Sequence, residues 1–235
     1  MNDLENVISG KDLSSDEINE EIKKAIKTDC KHLILKYINN KDSILEGFKL
    51  SGKNIKLEII GDAGNAFANY TSGLKVIANG NIGLNSALLS DKNKFTVLGN
   101  CGENFGCNSL KSEFYIYSNC GKNSFSNVKD NVKVVAGGVI GSRFATSSSN
   151  STFVILNLPG GNIFLDDNDK SFEASSGNSI YLRGKYKLAS NRFLVEQASN
   201  EDEDIYLPSI SEFARLFKFS LAEIKSMPFY RVKLT

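Results

Sequence analysis

Glycine recurs at a fixed interval through the middle of this chain. One column of positions, separated by 19, 19, 19 and 20 residues, holds Gly64, Gly83, Gly102, Gly121 and Gly141. A second column three residues earlier holds Gly61, Gly80, Gly99, Ser118 and Gly138. A repeat this short buries too little surface to fold alone, so the repeats must stack, each covering its neighbour.

Strand-like segments lie between the glycine turns in the same phase. They cover residues 56–60, 75–79, 94–98, 113–117 and 152–156, and their inward column begins Leu57, Val76, Phe95, Phe114. Such alternation is typical of strands with one buried face. Lys133 interrupts the column, but Val132 and Val134 restore it if that coil carries one extra residue. The sequence therefore predicts an all-β fold, a right-handed parallel β-helix with 19-residue coils.

Polar and thiol columns support the same stacking. Asp62, Asn81, Asn100 and Asn119 are 19 residues apart, as are Asn85, Asn104 and Asn123, so their amides are expected to hydrogen-bond from coil to coil. Cys101 and Cys120 share an apolar column with Ala63, Ile82 and Ile140. This favours core packing of the two thiols over a redox pair or a metal site, with Cα atoms about 5 Å apart.

The flanks differ from the repeat region, which we place at residues 51–185. Residues 1–50 are predicted to form an α/β lead-in, with a capping box at Ser14 and Glu17 and a strand at 32–38. In residues 186–235, a polar loop at 201–204 precedes two predicted short helices. Their capping boxes are Ser209 with Glu212 and Ser220 with Glu223. The period weakens after Leu156, although Gly160 is still 19 residues beyond Gly141, and one more coil strand is expected at 179–182. A last extended segment is expected at 229–234.

Charge and cysteine usage limit the partners and the compartment. Lys+Arg 28 against Asp+Glu 27 leaves a net charge of +1, so no overall field favours nucleic acid or an anionic membrane. The first residues carry no basic and apolar leader, and no run of 18 apolar residues occurs. We therefore expect a cytoplasmic protein with four reduced cysteines and neither a nucleic-acid nor a membrane partner.

Motifs for catalysis or cofactor binding are weak. The single histidine, His32, has no Gly-x-Ser-x-Gly nucleophile motif to accompany it, and segment 137–143 resembles a phosphate loop without the helix that should follow. Segment 166–169 is acidic but lacks the glycine and glutamate of a calcium loop. No catalytic, cofactor-binding or metal residue is predicted. The candidate functional positions are the structural coil turns, Gly61, Gly64, Gly80, Gly83, Gly99, Gly102, Gly121, Gly138 and Gly141.

The repeated turns Gly-Asp-Ala-Gly-Asn, Gly-Asn-Ile-Gly, Gly-Asn-Cys-Gly and Ser-Asn-Cys-Gly, each followed by an apolar strand, resemble a known family. This is the C-terminal β-helix domain, with its GXGXG repeat, of the glutamate synthase large subunit. The resemblance begins at the helix near residues 12–19 and reaches about Gly184. Stand-alone relatives are subunits of glutamate synthase-like and N-methylglutamate synthase-like complexes.

The resemblance implies a non-catalytic structural subunit that braces an amidotransferase subunit against an FMN-dependent synthase subunit. FMN and iron–sulfur clusters would then lie on those partners, with no cofactor on this chain. An alternative is a scaffold subunit of formylmethanofuran dehydrogenase-like or formyltransferase/hydrolase complexes, and a third is a free-standing enzyme. The chain departs from the family where further glycines are usual. Four residues after the column glycines stand Ala68, Ala87, Gly106, Phe125 and Ala145, and nine residues after stand Gly73, Lys92, Lys111, Asp130 and Asn150.

Overall fold

The computed structural model describes residues 5–28, 30–39, 41–50 and 52–235. Residues 1–4, on which the expectation of no leader partly rests, lie outside this range. In chain order the elements are β1 (Glu5–Ser9), α1 (Ser15–Lys27), β2 (His32–Lys36), β3 (Lys56–Ile60), β4 (Lys75–Ala78), β5 (Lys94–Val97), β6 (Glu113–Ile116), β7 (Lys133–Ala136), β8 (Thr152–Ile155), β9 (Ile163–Asp166), β10 (Ser179–Arg183), β11 (Tyr186–Ala189), β12 (Phe193–Gln197), α2 (Asn200–Phe217), α3 (Leu221–Lys225) and β13 (Phe229–Leu234).

The protein is a parallel β-helix, as the glycine period predicts. Strands β1 to β8 and then β10 stack in parallel, one strand per coil, in a single sheet. Leu57, Val76, Phe95 and Phe114 are register partners in successive strands. Lys133 pairs with Glu113, so the coil does carry one extra residue. The addition falls at Asp130 and Asn131, which both have left-handed backbone, with φ of 58° and 66°.

Each coil closes through a segment with alternating left-handed residues, which we call the arc (residues 66–73 and their equivalents in the other coils). In the first complete coil Ala66, Ala68 and Tyr70 have φ of 53°, 54° and 59°. The Ala66 N–H donates to Leu84 of the following coil at 2.9 Å, and the Ala68 N–H donates to Ile44 of the preceding coil at 2.8 Å. Backbone groups of the arc are therefore satisfied by both neighbouring coils.

Large and small side chains alternate inside the arc. Two neighbouring positions of the arc carry Phe105 and Gly106 in one coil, Ser124 and Phe125 in the next, and Phe144 and Ala145 in the one after. The rings of Phe105 and Phe125 meet edge to face at 5.7 Å, and those of Phe125 and Phe144 at 5.5 Å. All of these side chains are buried, so aromatic rings fill the solenoid along its length.

Helix α1 closes the N-terminal end of the solenoid. Its capping box is present, with the Glu17 N–H donating to Ser14 Oγ at 3.3 Å, and Ile18 and Ile22 are fully buried. Asn19 makes the hydrogen bonds that a preceding coil would otherwise make to the first arc. Its Nδ2 donates to the carbonyl of Ser43 at 3.0 Å, and its Oδ1 accepts the Leu45 N–H at 2.9 Å. The sheet continues from β2 into β3 without a break, so the lead-in belongs to the same stack.

The C-terminal end is built differently. The last complete coil is lengthened by an insertion containing β9, which pairs with β11, and β13 ends the parallel stack by pairing antiparallel with β10. Strand β10 and the extended segment β13 both match the sequence prediction. The placement of Gly160 in the glycine column is wrong, because Gly160 lies in the insertion at φ 79° with no atom within 4 Å of where its Cβ would be.

Helix α2 is longer than the sequence indicates. Instead of a loop at 201–204 and a short helix after Ser209, one helix begins after the N-cap Ser199, whose side chain and that of Asp202 form the capping box. Pro208 lies inside this helix and Ser209 is buried within it. The proline suggests an N-terminus because it lacks the N–H of a helix interior, but burial of the helix against the sheet outweighs that loss. The capping box of α3 at Ser220 is present as predicted.

Candidate functional site

The predicted coil-turn glycines lie where neighbouring coils come closest. A Cβ added to Gly64, Gly83, Gly102, Gly121 or Gly141 would come within 2.5–2.8 Å of atoms of the preceding coil, mostly backbone. Gly61 has a φ of 100°, whereas Gly102 does not have positive φ. The requirement for glycine at position 102 is therefore not a left-handed backbone but crowding by the backbone of Gly83.

A ladder of amides runs beside these turns, as the sequence predicts. Asn81 Oδ1 accepts the N–H of Asn100 at 2.8 Å, and Asn100 Oδ1 accepts the N–H of Asn119 at 3.2 Å. Asp62 begins the column by accepting the N–H of Asn81 at 2.7 Å. The second column, Asn85, Asn104 and Asn123, is joined side chain to side chain at 2.6 Å. These contacts hold the turns in register.

The two stacked cysteines lie in the core. Cys101 and Cys120 pair directly across neighbouring coils, both are 3% exposed, and both are free thiols. Burial raises the pKa of Cys101 well above its ordinary value and that of Cys120 to about 12. A thiol that stays protonated is a poor nucleophile and a poor metal ligand, which agrees with a packing role.

The other chemical candidates from the sequence lie apart from one another. His32 is on the outer side of β2, with Nε2 2.9 Å from a carboxylate oxygen of Glu58. Segment 137–143 is one of the stacked turns, and Asp166 caps its own loop by accepting the N–H groups of Asn168 and Asp169 at 2.9 and 2.7 Å. Within the described residues, no group of three or more His, Cys, Asp or Glu side chains is placed to hold a metal ion.

The outward side of the stacked strands, which we call the outer face, carries a second hydrophobic core. Helix α2 runs along the stack here, from Tyr206 against Tyr181 of β10 at 4.9 Å to Phe217 against Tyr117 after β6 at 5.6 Å. The buried cluster comprises Tyr115, Val135, Val154, Leu156, Tyr181, Tyr206, Ile210, Phe213, Ala214, Ile224 and Phe229. The helix therefore covers the outer face from β6 to β10.

Charged groups fix α2 on this face. Lys94 Nζ of β5 lies 2.5 Å from Glu212, 3.5 Å from Glu113 and 5.0 Å from the centre of the Tyr115 ring. Hydrogen bonds from Arg215 and Lys94 lower the pKa of Glu212 to about 2. Glu212 is therefore ionised over the whole neutral range, where its carboxylate pairs with Lys94.

Sequence reasoning missed this face, although the strands carry a signal for it. Strand β3 alternates Lys-Leu-Glu-Ile, whereas β7 reads Lys-Val-Val-Ala and β8 reads Thr-Phe-Val-Ile. Consecutive apolar residues are typical of strands buried on both sides. A groove of about 280 Å³ lies where α2 ends, lined by Leu98, Tyr117, Leu216, Phe217 and Lys218. This groove leads from the covered strands to the uncovered ones.

Comparisons with protein-family models, with curated proteins and with solved structures find no match to this chain. No helix among the described residues is long and apolar enough to cross a membrane. The function must therefore be inferred from the fold, the repeat and the outer face.

Proposed function

We propose that this chain is a cytoplasmic, non-catalytic structural subunit of a glutamate synthase-like amidotransferase complex. In this proposal it braces an amidotransferase subunit against an FMN-dependent synthase subunit, and the flavin and iron–sulfur clusters lie on those partners. The basis is the resemblance of the 19-residue glycine repeat to the β-helix domain of the glutamate synthase large subunit.

One observation supports this assignment above the others. The positions at which that family carries further glycines, four and nine residues after the column glycine, have left-handed backbone in every coil of this protein. Four residues after, φ lies between 53° and 69° at Ala68, Ala87, Gly106, Phe125 and Ala145; nine residues after, it lies between 48° and 74° at Gly73, Lys92, Lys111, Asp130 and Asn150. Left-handed backbone favours glycine, so the conformation accounts for the family pattern even where this chain has lost the residue.

The packing also suits a brace. Aromatic and aliphatic side chains fill the interior, and the backbone of each coil is hydrogen-bonded to both neighbours, so the solenoid transmits force without large deformation. In this proposal, the outer face is the surface that contacts the partner subunits.

Purification of the tagged protein from its own cells, followed by mass spectrometry, tests the proposal. The expected result is co-purification of an amidotransferase and a flavoprotein in fixed ratio. Recovery of formyltransferase or formylmethanofuran dehydrogenase subunits would replace the proposal with the other scaffold role. A chain that migrates alone at 25.8 kDa, or that turns over a substrate by itself, would contradict both.

The same material gives a second readout. The isolated chain is expected to be colourless, without flavin absorbance or stoichiometric metal. Burial raises the pKa of the Cys101 and Cys120 thiols, and the Asp166 carboxylate of the acidic loop already accepts hydrogen bonds from its own backbone. A yellow protein, or metal at one equivalent, would contradict the non-catalytic role.

A further inference from the structure

The outer face is only half covered. Helix α2 lies over β6 to β10, ends at Phe217, and turns away through Lys218 with a φ of 60°. On β5, at the edge of α2, the outward Thr96 is only 3% exposed. The uncovered part of the face comprises β1 to β4 and the residue after β5, where Val7, Ile60 and Leu98 are 52%, 39% and 41% exposed. Ile77, whose register partner in the next strand is Thr96, is half-buried there. Apolar side chains thus continue in line with α2, with the carboxylate of Glu58, the register partner of Ile77, lying among them beside Lys56 and His32. We call Val7, Ile60, Ile77 and Leu98 the apolar strip.

The charges on this strip repeat the arrangement that holds α2. Lys94, which binds Glu212, is the register partner of Lys75, and Lys75 is the partner of Lys56. Lys75 Nζ donates to the neutral amide of Asn54 at 2.7 Å, and Lys56 pairs with Glu58 at 2.8 Å. The lysine column (Lys56, Lys75 and Lys94) therefore presents a cation beside the apolar strip at Lys75, one coil beyond the pair with Glu212, whereas the charge of Lys56 is balanced by Glu58.

We propose that an amphipathic α-helix of a partner protein, with acidic residues along one edge, docks on the outer face over β1 to β4 in line with α2. The apolar side of the helix packs on Ile77, Ile60 and Leu98, and its carboxylates reach Lys75 as Glu212 reaches Lys94. The four strands extend about 14 Å at about 4.8 Å per step, which a helix of about 10 residues spans at 1.5 Å per residue.

This docking site deepens the proposed scaffold role and rests on it. A helix is the occupant that the chemistry favours because the covered half of the same face is occupied by one. The adjoining groove at Leu98, Tyr117 and Phe217 accommodates the end of a second helix. Buried apolar area supplies the affinity, and the lysine column sets the orientation and the register.

Two synthetic probes test the site on the full chain. Both are labelled, stapled 14-residue helices with leucines on one side; one has glutamates along one edge, and the other has lysines at the same positions. The acidic probe is expected to bind at least tenfold more tightly by fluorescence anisotropy, with weaker binding at high salt. Lys75→Glu should weaken its binding at least tenfold, and Ile77→Asp should abolish it. The matched control Lys122→Glu, an exposed lysine outside this strip, should leave binding unchanged.

Equal binding of the two probes, no binding of either, or equal loss with Lys122→Glu would overturn the proposal. In cells, a photo-crosslinker at Ile77 should attach to a segment of another protein with helical apolar spacing and carboxylates on one edge. Attachment to a second copy of this chain, or to a segment without that pattern, would also overturn it. The scaffold role fails separately, if the chain purifies alone.

Discussion

The turn and the arc of each coil solve the same stacking problem in different ways. In the turn, the column from Gly64 to Gly141 has glycine in all five coils, although Gly102 and Gly121 do not have positive φ. In the arc, every coil has left-handed backbone four residues after the column glycine, yet only Gly106 is glycine there. Glycine therefore occurs in every one of these coils where a neighbouring backbone excludes a side chain, and other residues are tolerated where the backbone is only left-handed.

The different energetic costs of left-handed backbone and of crowding explain where glycine occurs. A left-handed residue costs of order 1–2 kcal/mol and disturbs nothing beyond itself. A Cβ at Gly83 would lie 2.6 Å from the carbonyl oxygen of Gly64, so two coils would have to separate and the hydrogen bonds between them would lengthen. The first cost is local, and the second spreads along the stack.

Gly102→Val is the largest expected effect. Its Cβ would lie 2.8 Å from the backbone of Gly83 and Leu84, and we expect a loss of more than about 4 kcal/mol or failure to fold. Urea unfolding followed by circular dichroism measures it. The control is Gly161→Val, since nothing lies within 4 Å of that position. Equal stability of the two variants would remove the crowding argument.

Gly106→Ala separates crowding from conformation within the arc. Its φ of 69° resembles that of Ala68, but its Cβ would lie 2.6 Å from the Phe125 ring. We expect a loss of about 1–3 kcal/mol from overpacking. Phe125→Ala alone should cost about 3–5 kcal/mol through the cavity it leaves. In the Phe125→Ala background, Gly106→Ala should cost less than about 1 kcal/mol. A double-mutant cycle with no coupling would assign the cost to backbone strain instead.

Asn100→Ala asks how much the amide ladder adds to the crowded turn. Asn100 accepts the N–H of Asn119 and donates to Asn81 at 3.1 Å, at an exposed corner. We expect a loss of about 1 kcal/mol. Asn100→Asp keeps the acceptor, as Asp62 does at the start of the column, and should recover part of that loss. If Asn100→Ala matches wild type in urea unfolding, the turns are held by the backbone alone.

The solenoid could be predicted well because stacking imposes a period on every column. The glycines, the inward apolar residues, the asparagines and the two cysteines all repeat in one phase, and even the extra residue before Lys133 follows from that phase. Helix α2 has no such period to reveal it. Its capping box uses Asp202 rather than glutamate, and Pro208 lies inside the helix, so the length of the helix depends on packing against the outer face.

Asn85, Asn104 and Asn123 begin the arc with left-handed backbone, which asparagine favours, but the rest of the arc could not be predicted. Alanine, phenylalanine and lysine at its left-handed positions carry no local preference for positive φ. The conformation is imposed by hydrogen bonds to the neighbouring coils, such as the Phe125 N–H to the carbonyl of Phe105 at 2.8 Å. The outer face could have been found from the loss of alternation in β7 and β8, but the helix that covers it could not.

Lys92→Gly is the smallest expected effect and the most direct test of the arc. Lys92 is exposed, has a φ of 54° and occupies one of the positions where the resembled family has glycine. Relief of left-handed strain favours glycine by about 1 kcal/mol, and the greater freedom of glycine in the unfolded chain opposes it by about 0.4–1 kcal/mol. The two nearly cancel, so we expect stability within about 0.5 kcal/mol of wild type.

Lys92→Val should cost about 1–2 kcal/mol, since a β-branched residue tolerates positive φ poorly. Valine at position 92 then measures the cost of left-handed backbone, and valine at position 102 measures the cost of crowding. A loss at Lys92 as large as that at Gly102 would show that the two columns differ only in sequence and not in what they require.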